Sequence, residues 1–275
     1  MSKIDDLFDK LRAERRKALM PFLTAGDPDL DFTAAAVREL AERGCHLCEL
    51  GIPYSDPIAD GPVIQASYTR ALARRIRLAE ILHTARGLAA ELAMPLVTMV
   101  SYAIVHRCGL PEYVASARAA GVAGAIVPDL PVEEAGKLAG ICRSRDFALI
   151  LLATPTTPRD RAIRIAERST GFLYYVSVTG ITGERHELPA GLIENVAWLR
   201  QRTPLPICIG FGISKPEHVR ALAGAADGLI VGSAFVRRVA AASEQPRERV
   251  LDDIGRFAAE LLAALPAPGA NASTA

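Results

Sequence analysis

RALAGAADGLIVGS (220–233) reads as the end of a helix, a glycine turn and a buried strand, in that order. The same reading fits RELAERGCHLCELG (38–51) and ARAAGVAGAIVPD (117–129). Each strand portion is nearly continuous in apolar character, as expected of a parallel strand covered on both faces. Extended along the chain, the pattern gives eight strand candidates, at 18–25, 46–51, 95–100, 124–129, 147–153, 171–178, 205–210 and 227–232. Helical patterns lie between them, among them 31–44, 110–121 and 215–225. Several end in Gly and two begin beside Pro. Eight strand–helix units without a long break predict an α/β protein folded as a single (β/α)8 TIM barrel. An open doubly wound sheet is the alternative, and the similarity of the units favours closure.

Residues 1–15 read as an extra N-terminal helix that caps the barrel bottom. Residues 1–265 form the expected single barrel, with no linker to divide it. The small-residue stretch PAPGANASTA (266–275) is expected to be a disordered tail. Lys and Arg number 32 against 31 Asp and Glu, a net charge of +1. That balance gives no support to nucleic-acid or membrane-surface binding. No apolar run reaches a membrane span, and the charged, amphipathic N-terminus lacks a signal-peptide core. A cytoplasmic location is expected. Five cysteines are not a disulfide framework. Cys45 and Cys48 match C-x-x-C, but on a strand positions i and i+3 point to opposite faces, so buried structural thiols are expected.

Barrel chemistry sits at the C-terminal ends of the strands. Thr24 to Pro28 follow the first strand, Glu49 ends the second, and Asp56 and Asp60 lie in the loop after it. Asp129 follows the fourth. Alternation puts Leu47, Glu49 and Gly51 on one strand face and His46, Cys48 and Leu50 on the other. If the first set faces the lumen, Glu49 is a buried carboxyl with a raised pKa, suited to acid–base work near neutrality. The alternative is a structural Glu tied to Arg or to backbone donors. Asp60 precedes Gly61-Pro62 and a helical pattern, so it reads equally as a helix N-cap or a functional group. Asp56, in Ser55-Asp56-Pro57, reads as a loop-shaping residue.

Glycines end the last three strands: Gly180 and Gly183, then Gly210 and Gly212, then Gly232 before Ser233. Such turns let backbone N–H groups approach an anion, and loops after strands 7 and 8 bind phosphate in many barrels. Ordinary turn glycines are the plainer reading. The lysines, at 3, 10, 17, 137 and 215, do not end a predicted strand in the lumen, so a Schiff-base aldolase lacks its nucleophile. The histidines, at 46, 83, 106, 186 and 218, show no metal-ligand spacing. Carboxylate acid–base chemistry on a phosphorylated substrate, with no cofactor and no metal, is what these residues suggest.

CELGIPYSDPIADGPVIQ (48–65) resembles the signature of the tryptophan synthase alpha subunit family. The resemblance extends through PFLTAGDP (21–28), VPDLPVEE (127–134), YYVSVTGITG (174–183), GFGIS (210–214) and VGSAFV (231–236), and runs from about Leu19 to Leu262. It implies retro-aldol cleavage of indole-3-glycerol phosphate to indole and glyceraldehyde 3-phosphate. Glu49 then matches the acid–base residue, Asp60 the group that holds the indole N–H, and Tyr174 the tyrosine near Glu49. Gly183, Gly212, Gly232 and Ser233 match phosphate-binding positions. Phe22 and Ile64 match the indole pocket. Pro53 and Asp56 match positions at the contact with a pyridoxal-phosphate beta subunit, in an expected alpha2-beta2 tetramer.

Three positions depart from the family pattern. Tyr54 stands where Phe is usual, Ala103 where Asn is usual, and Glu184 where a small residue is usual. Ala103 and the Glu184-Arg185-His186 run are expected in loops that meet the partner or close over substrate. Two other readings accompany the first: a stand-alone lyase that releases free indole, and a non-catalytic barrel that only activates a beta subunit. Retention of Glu49, Asp60 and Tyr174 argues against the last.

Overall fold

The computed structural model describes residues 2–57, 60–176, 191–210 and 212–267. Its strands are β1 (Ala18–Thr24), β2 (Cys48–Gly51), β3 (Leu96–Met99), β4 (Gly124–Ile126), β5 (Ala148–Ile150), β6 (Leu152–Ala153), β7 (Leu173–Val176), β8 (Ile207–Gly210) and β9 (Gly228–Val231). All pair in parallel, in the order β5-β4-β3-β2-β1-β9-β8-β7-β6. The fifth predicted strand is therefore divided at Leu151. Its first half pairs with β4 and its second with β7. The Val127 amide donates to Ile150 O (3.3 Å) and the Tyr174 amide to Leu151 O (3.2 Å), so this one segment joins both edges. The eight ladders, joined through the β5–β6 segment, close as the eight-stranded TIM barrel, and the open-sheet alternative is set aside.

Strand alternation sorts the apolar side chains into two cores. Leu47, Val97, Met99, Ile150, Tyr174, Val176 and Ile230 belong to the lumen. Cys48, Leu50, Leu96, Leu173, Tyr175 and Leu229 pack outward against the helices. Both faces are buried, which is why the strands read as unbroken apolar runs. The N-terminal helix Lys3–Ala13 starts with a Ser2–Asp5 capping box and buries Ile4, Phe8 and Leu11. These three join the lumen cluster, with Phe8 6.0 Å from Phe172, and plug the barrel floor as expected. Among the described residues no helix is long and apolar enough to cross a membrane.

The structure corrects some local expectations. The second strand begins at Cys48, not at 46, so the opposite-face rule does not reach Cys45; both thiols lie in the outer core, buried and unpaired. Cys108, by contrast, is exposed. Ala103 lies not in a loop but in the first turn of the helix Tyr102–Cys108, which Ser101 caps. The last residues of the predicted tail and the Glu184 run lie outside the described residues.

Candidate active site at the C-terminal mouth

Glu49 is the penultimate residue of β2, in register with Phe22 of β1 and Val97 of β3. It faces the lumen and is fully buried. Neither carboxyl oxygen has a hydrogen-bond partner among the described residues. The structural alternative, a Glu satisfied by Arg or backbone donors, is thereby excluded for the described surroundings. An unpaired carboxylate in such a place is costly, so burial pushes its pKa well above the ordinary 4.5. As pH rises past 4.5, the unfolded chain releases a proton that the folded chain keeps. Stability drawn from Glu49 therefore falls from there up to the folded pKa. Glu49→Gln removes that loss. Its melting temperature, relative to wild type, is expected to climb as pH is raised from about 4.5 to about 8. A pH-independent difference in a thermal melt series would show that Glu49 is not held neutral.

The surroundings are aromatic and apolar. Tyr174 projects into the lumen from β7, 3 % exposed, and Gly210 on β8 leaves room for its ring: a Cβ there would strike the phenol. Burial and the nearby Glu49 and Asp60 charges keep the phenol protonated. Phe22 and Ile64 line the same lumen. Gly51 completes the wall, since a Cβ would meet the Phe22 ring and, at 3.1 Å, the Tyr68 hydroxyl.

Asp60 stands at the cavity edge. Gly61 is the N-cap of the helix Pro62–Ala73, and no side chain caps it. The capping role for Asp60 is thus overturned; Pro at N1 already removes one orphan N–H. What holds this corner is backbone: Gln65 Nε2 donates to Asp60 O (2.7 Å) and Pro57 O (3.3 Å). Burial alone raises the Asp60 pKa to about 6. Tyr54 is pushed to about 12 by burial and by the charges of Asp60, Asp129 and Asp56.

Asp60 and Tyr54 open on a cavity of about 1070 Å³, lined also by Pro53, Asp56, Ala103 and Asp129 among others. Pro53 is buried and Asp56 exposed. On the far side of the mouth, Gly212 has φ +78°, a left-handed conformation that favours Gly. Gly232 is the N-cap of the helix Ser233–Ala240, with Phe22 against it at 3.8 Å from a built Cβ. Gly183 lies outside the described residues.

Two clamps around the mouth were not anticipated. Asp27, 2 % exposed, takes a bidentate contact from Arg70 (2.8 and 2.6 Å), and Thr24 Oγ1 lies 2.6 Å from Ser67 Oγ. Together they fasten the loop after β1 to the helix that carries Ile64. Asp129 accepts from Ser101 Oγ and from the Tyr102 amide, both at 2.7 Å, and so anchors the helix bearing Ala103. Asp27 and Asp129 could be read as strand-end residues in the sequence. Their partners, 43 and 28 residues away, carried no local signal.

Fold and mouth define a closed parallel α/β barrel with a desolvated carboxyl among aromatic side chains in its lumen and glycine turns at its C-terminal end. The profile of the family described as "Tryptophan synthase alpha chain" matches residues 8–264. A tryptophan synthase alpha chain of Rhodopirellula baltica is 57 % identical over 263 residues, covering 94 % of this chain and 95 % of the relative. One of Rippkaea orientalis is 45 % identical, covering 96 % and 98 %. The crystal structure of a tryptophan synthase alpha chain from Legionella pneumophila superposes with TM-score 0.86 at 32 % identity, over 96 % of this chain and 97 % of that one. A chain of a Pyrococcus furiosus tryptophan synthase complex gives 0.82 at 35 %, over 90 % and 98 %. The protein belongs to the tryptophan synthase alpha chain family.

Proposed function

We propose that this chain cleaves indole-3-glycerol phosphate at the mouth of its barrel, with Glu49 as the proton-transfer group, and that it does so as the alpha subunit of a cytoplasmic tryptophan synthase. The observation that carries the reading is Glu49 itself: a carboxyl buried in the lumen with both oxygens unpartnered among the described residues. In its neutral form it is an acid able to protonate C3 of the indole ring. That step leaves a cation on the ring, and the Asp60 carboxylate on the indole N–H stabilises it. The resulting carboxylate of Glu49 then helps remove the proton from the glycerol hydroxyl. The bond between C3 and the glycerol carbon breaks, its electron pair returns to the ring, and an aldehyde forms. Glu49 regains its proton, so cleavage needs no external reductant or oxidant. Tyr174 stands beside Glu49 and keeps that side of the carboxyl dry. Phe22 and Ile64 hold the indole. The phosphate is assigned to the glycine turns at Gly183, Gly212 and Gly232 with Ser233. Indole formation from indole-3-glycerol phosphate by the purified chain tests the reading.

The phosphate assignment has its own test. Val at Gly212 meets a left-handed backbone, a strain of about 1–3 kcal/mol that moves the turn. Gly232 has φ −104° and ordinary contacts, so Val there acts only by its bulk. Calorimetric titration with glycerol phosphate is expected to show a loss of about tenfold or more for Gly212→Val and a smaller loss for Gly232→Val. Free indole should bind each nearly as before. Unchanged phosphate affinity in both would move the site elsewhere.

The beta subunit is proposed to dock over the face that carries Asp56 and Ala103. Both are exposed and both line the mouth cavity. An interface hydrogen bond lost with its partner left buried costs about 1–3 kcal/mol, about 5- to 150-fold in affinity. Ala103→Asn is therefore expected to tighten the complex with a beta chain whose own alpha partner carries Asn there. Titration with that beta chain, reading affinity and indole release together, checks this. No change in either would make Ala103 irrelevant to the partner. Rapid indole release with no response to any beta chain would favour the stand-alone lyase.

A further inference from the structure

The turn after β8 is held from behind by a single imidazole. His218 lies in the helix Pro216–Ala223 and is 9 % exposed. Its Nδ1 is 3.3 Å from the amide nitrogen of Ser214 and 3.1 Å from the carbonyl oxygen of Gly212. These two groups flank Ile213, which is buried. The Ser214 N–H needs a lone pair on Nδ1, whereas the Gly212 carbonyl needs a proton on it. One ring nitrogen meets only one of these demands at a time, so the tautomer decides which peptide group is held. The turn has little other support on its open side: a Cβ built on Gly212 meets no described atom within 4 Å. Nor does the helix have a side-chain cap at Lys215. His218, one turn in, instead reaches back to the loop.

We propose that His218 is a positioning residue for substrate phosphate. It sets the peptide plane at Gly212 or at Ser214, according to its tautomer, so the phosphate meets an amide group already in place. This rests on the assignment of the phosphate to this turn. Without the imidazole, binding must itself order the turn, and affinity falls. The phosphate is remote from the bond that breaks and is held alike before and during cleavage. The effect therefore falls on KM and leaves kcat nearly alone.

The test compares His218→Ala, His218→Asn and Gly212→Val in steady-state cleavage of indole-3-glycerol phosphate and in titration with glycerol phosphate. His218→Ala is expected to raise KM, and the Kd for glycerol phosphate, about three- to tenfold, the worth of one neutral hydrogen bond. Its kcat should stay within about twofold, and free indole binding should be unaffected. Asn carries its amide atoms two bonds from Cβ, where Nδ1 stands, and can accept from Ser214 or donate to Gly212, so His218→Asn is expected to restore both constants. If His218→Ala does not fold, His218→Leu keeps the bulk without the polar atoms and carries the same comparison. Weakened phosphate binding in Gly212→Val with wild-type constants in His218→Ala would overturn the proposal alone. Wild-type phosphate affinity in all three variants would overturn the phosphate assignment with it. A loss in His218→Ala that His218→Asn does not repair would reduce the residue to packing.

Discussion

Glu49→Gln is expected to fold, to bind indole-3-glycerol phosphate, and to lose about 10²- to 10⁴-fold in kcat. Gln keeps the size of the side chain and its place among Phe22, Tyr174 and the β3 wall, so binding has no reason to fail. What it lacks is a proton that can leave and return. Because the site supplies no hydrogen bond to either Glu49 oxygen among the described residues, the neutral amide is not penalised for losing one. The loss should therefore appear in kcat with KM close to wild type, measured by indole release under saturating substrate. Turnover within a few-fold of wild type would remove Glu49 from the chemistry.

Asp60→Asn is expected to cost about 10²-fold in kcat, the scale of removing one preorganised electrostatic partner of a developing charge. Melting temperature should not fall, because Gly61 and not Asp60 caps the following helix, and it should rise relative to wild type between pH 3.8 and about 6, where the folded chain keeps a proton that the unfolded chain releases. The Asp60 pKa near 6 adds a pH signature. Below it the carboxyl is neutral and cannot stabilise the cation, so kcat/KM should fall as pH drops through about 6. That acid limb should be missing in Asp60→Asn. The substrate's own phosphate titrates in both enzymes, so the comparison isolates Asp60. A loss of stability with unchanged turnover would contradict the assignment.

The barrel was legible in the sequence because parallel strands buried on both faces leave unbroken apolar runs, and glycine turns mark where each begins. Alternation put Glu49 on one face with Leu47 and Gly51, and closure of the barrel makes that face the lumen. The split at Leu151 was not legible: FALILLA is uniformly apolar, and the break reflects a change of neighbour, from β4 to β7, that only closure creates. Asp60 was ambiguous because Asp before Gly-Pro suits both a cap and a free carboxylate; the deciding fact is which residue has the cap geometry. The clamps Asp27–Arg70 and Asp129–Ser101 join positions far apart in the chain. His218 carried no ligand spacing, since what it holds is backbone rather than a metal, and backbone partners leave no mark in a residue pattern.

The central claim is that the buried carboxyl of Glu49 performs the proton transfers that release indole. Indole formation from indole-3-glycerol phosphate, followed for the purified chain and for Glu49→Gln, each alone and with a beta subunit, tests it most directly. Wild type should yield indole alone and faster in the complex, while Glu49→Gln stays near background in both. Indole release by Glu49→Gln at the wild-type rate, or none by wild type even with a beta subunit bound, would contradict the account.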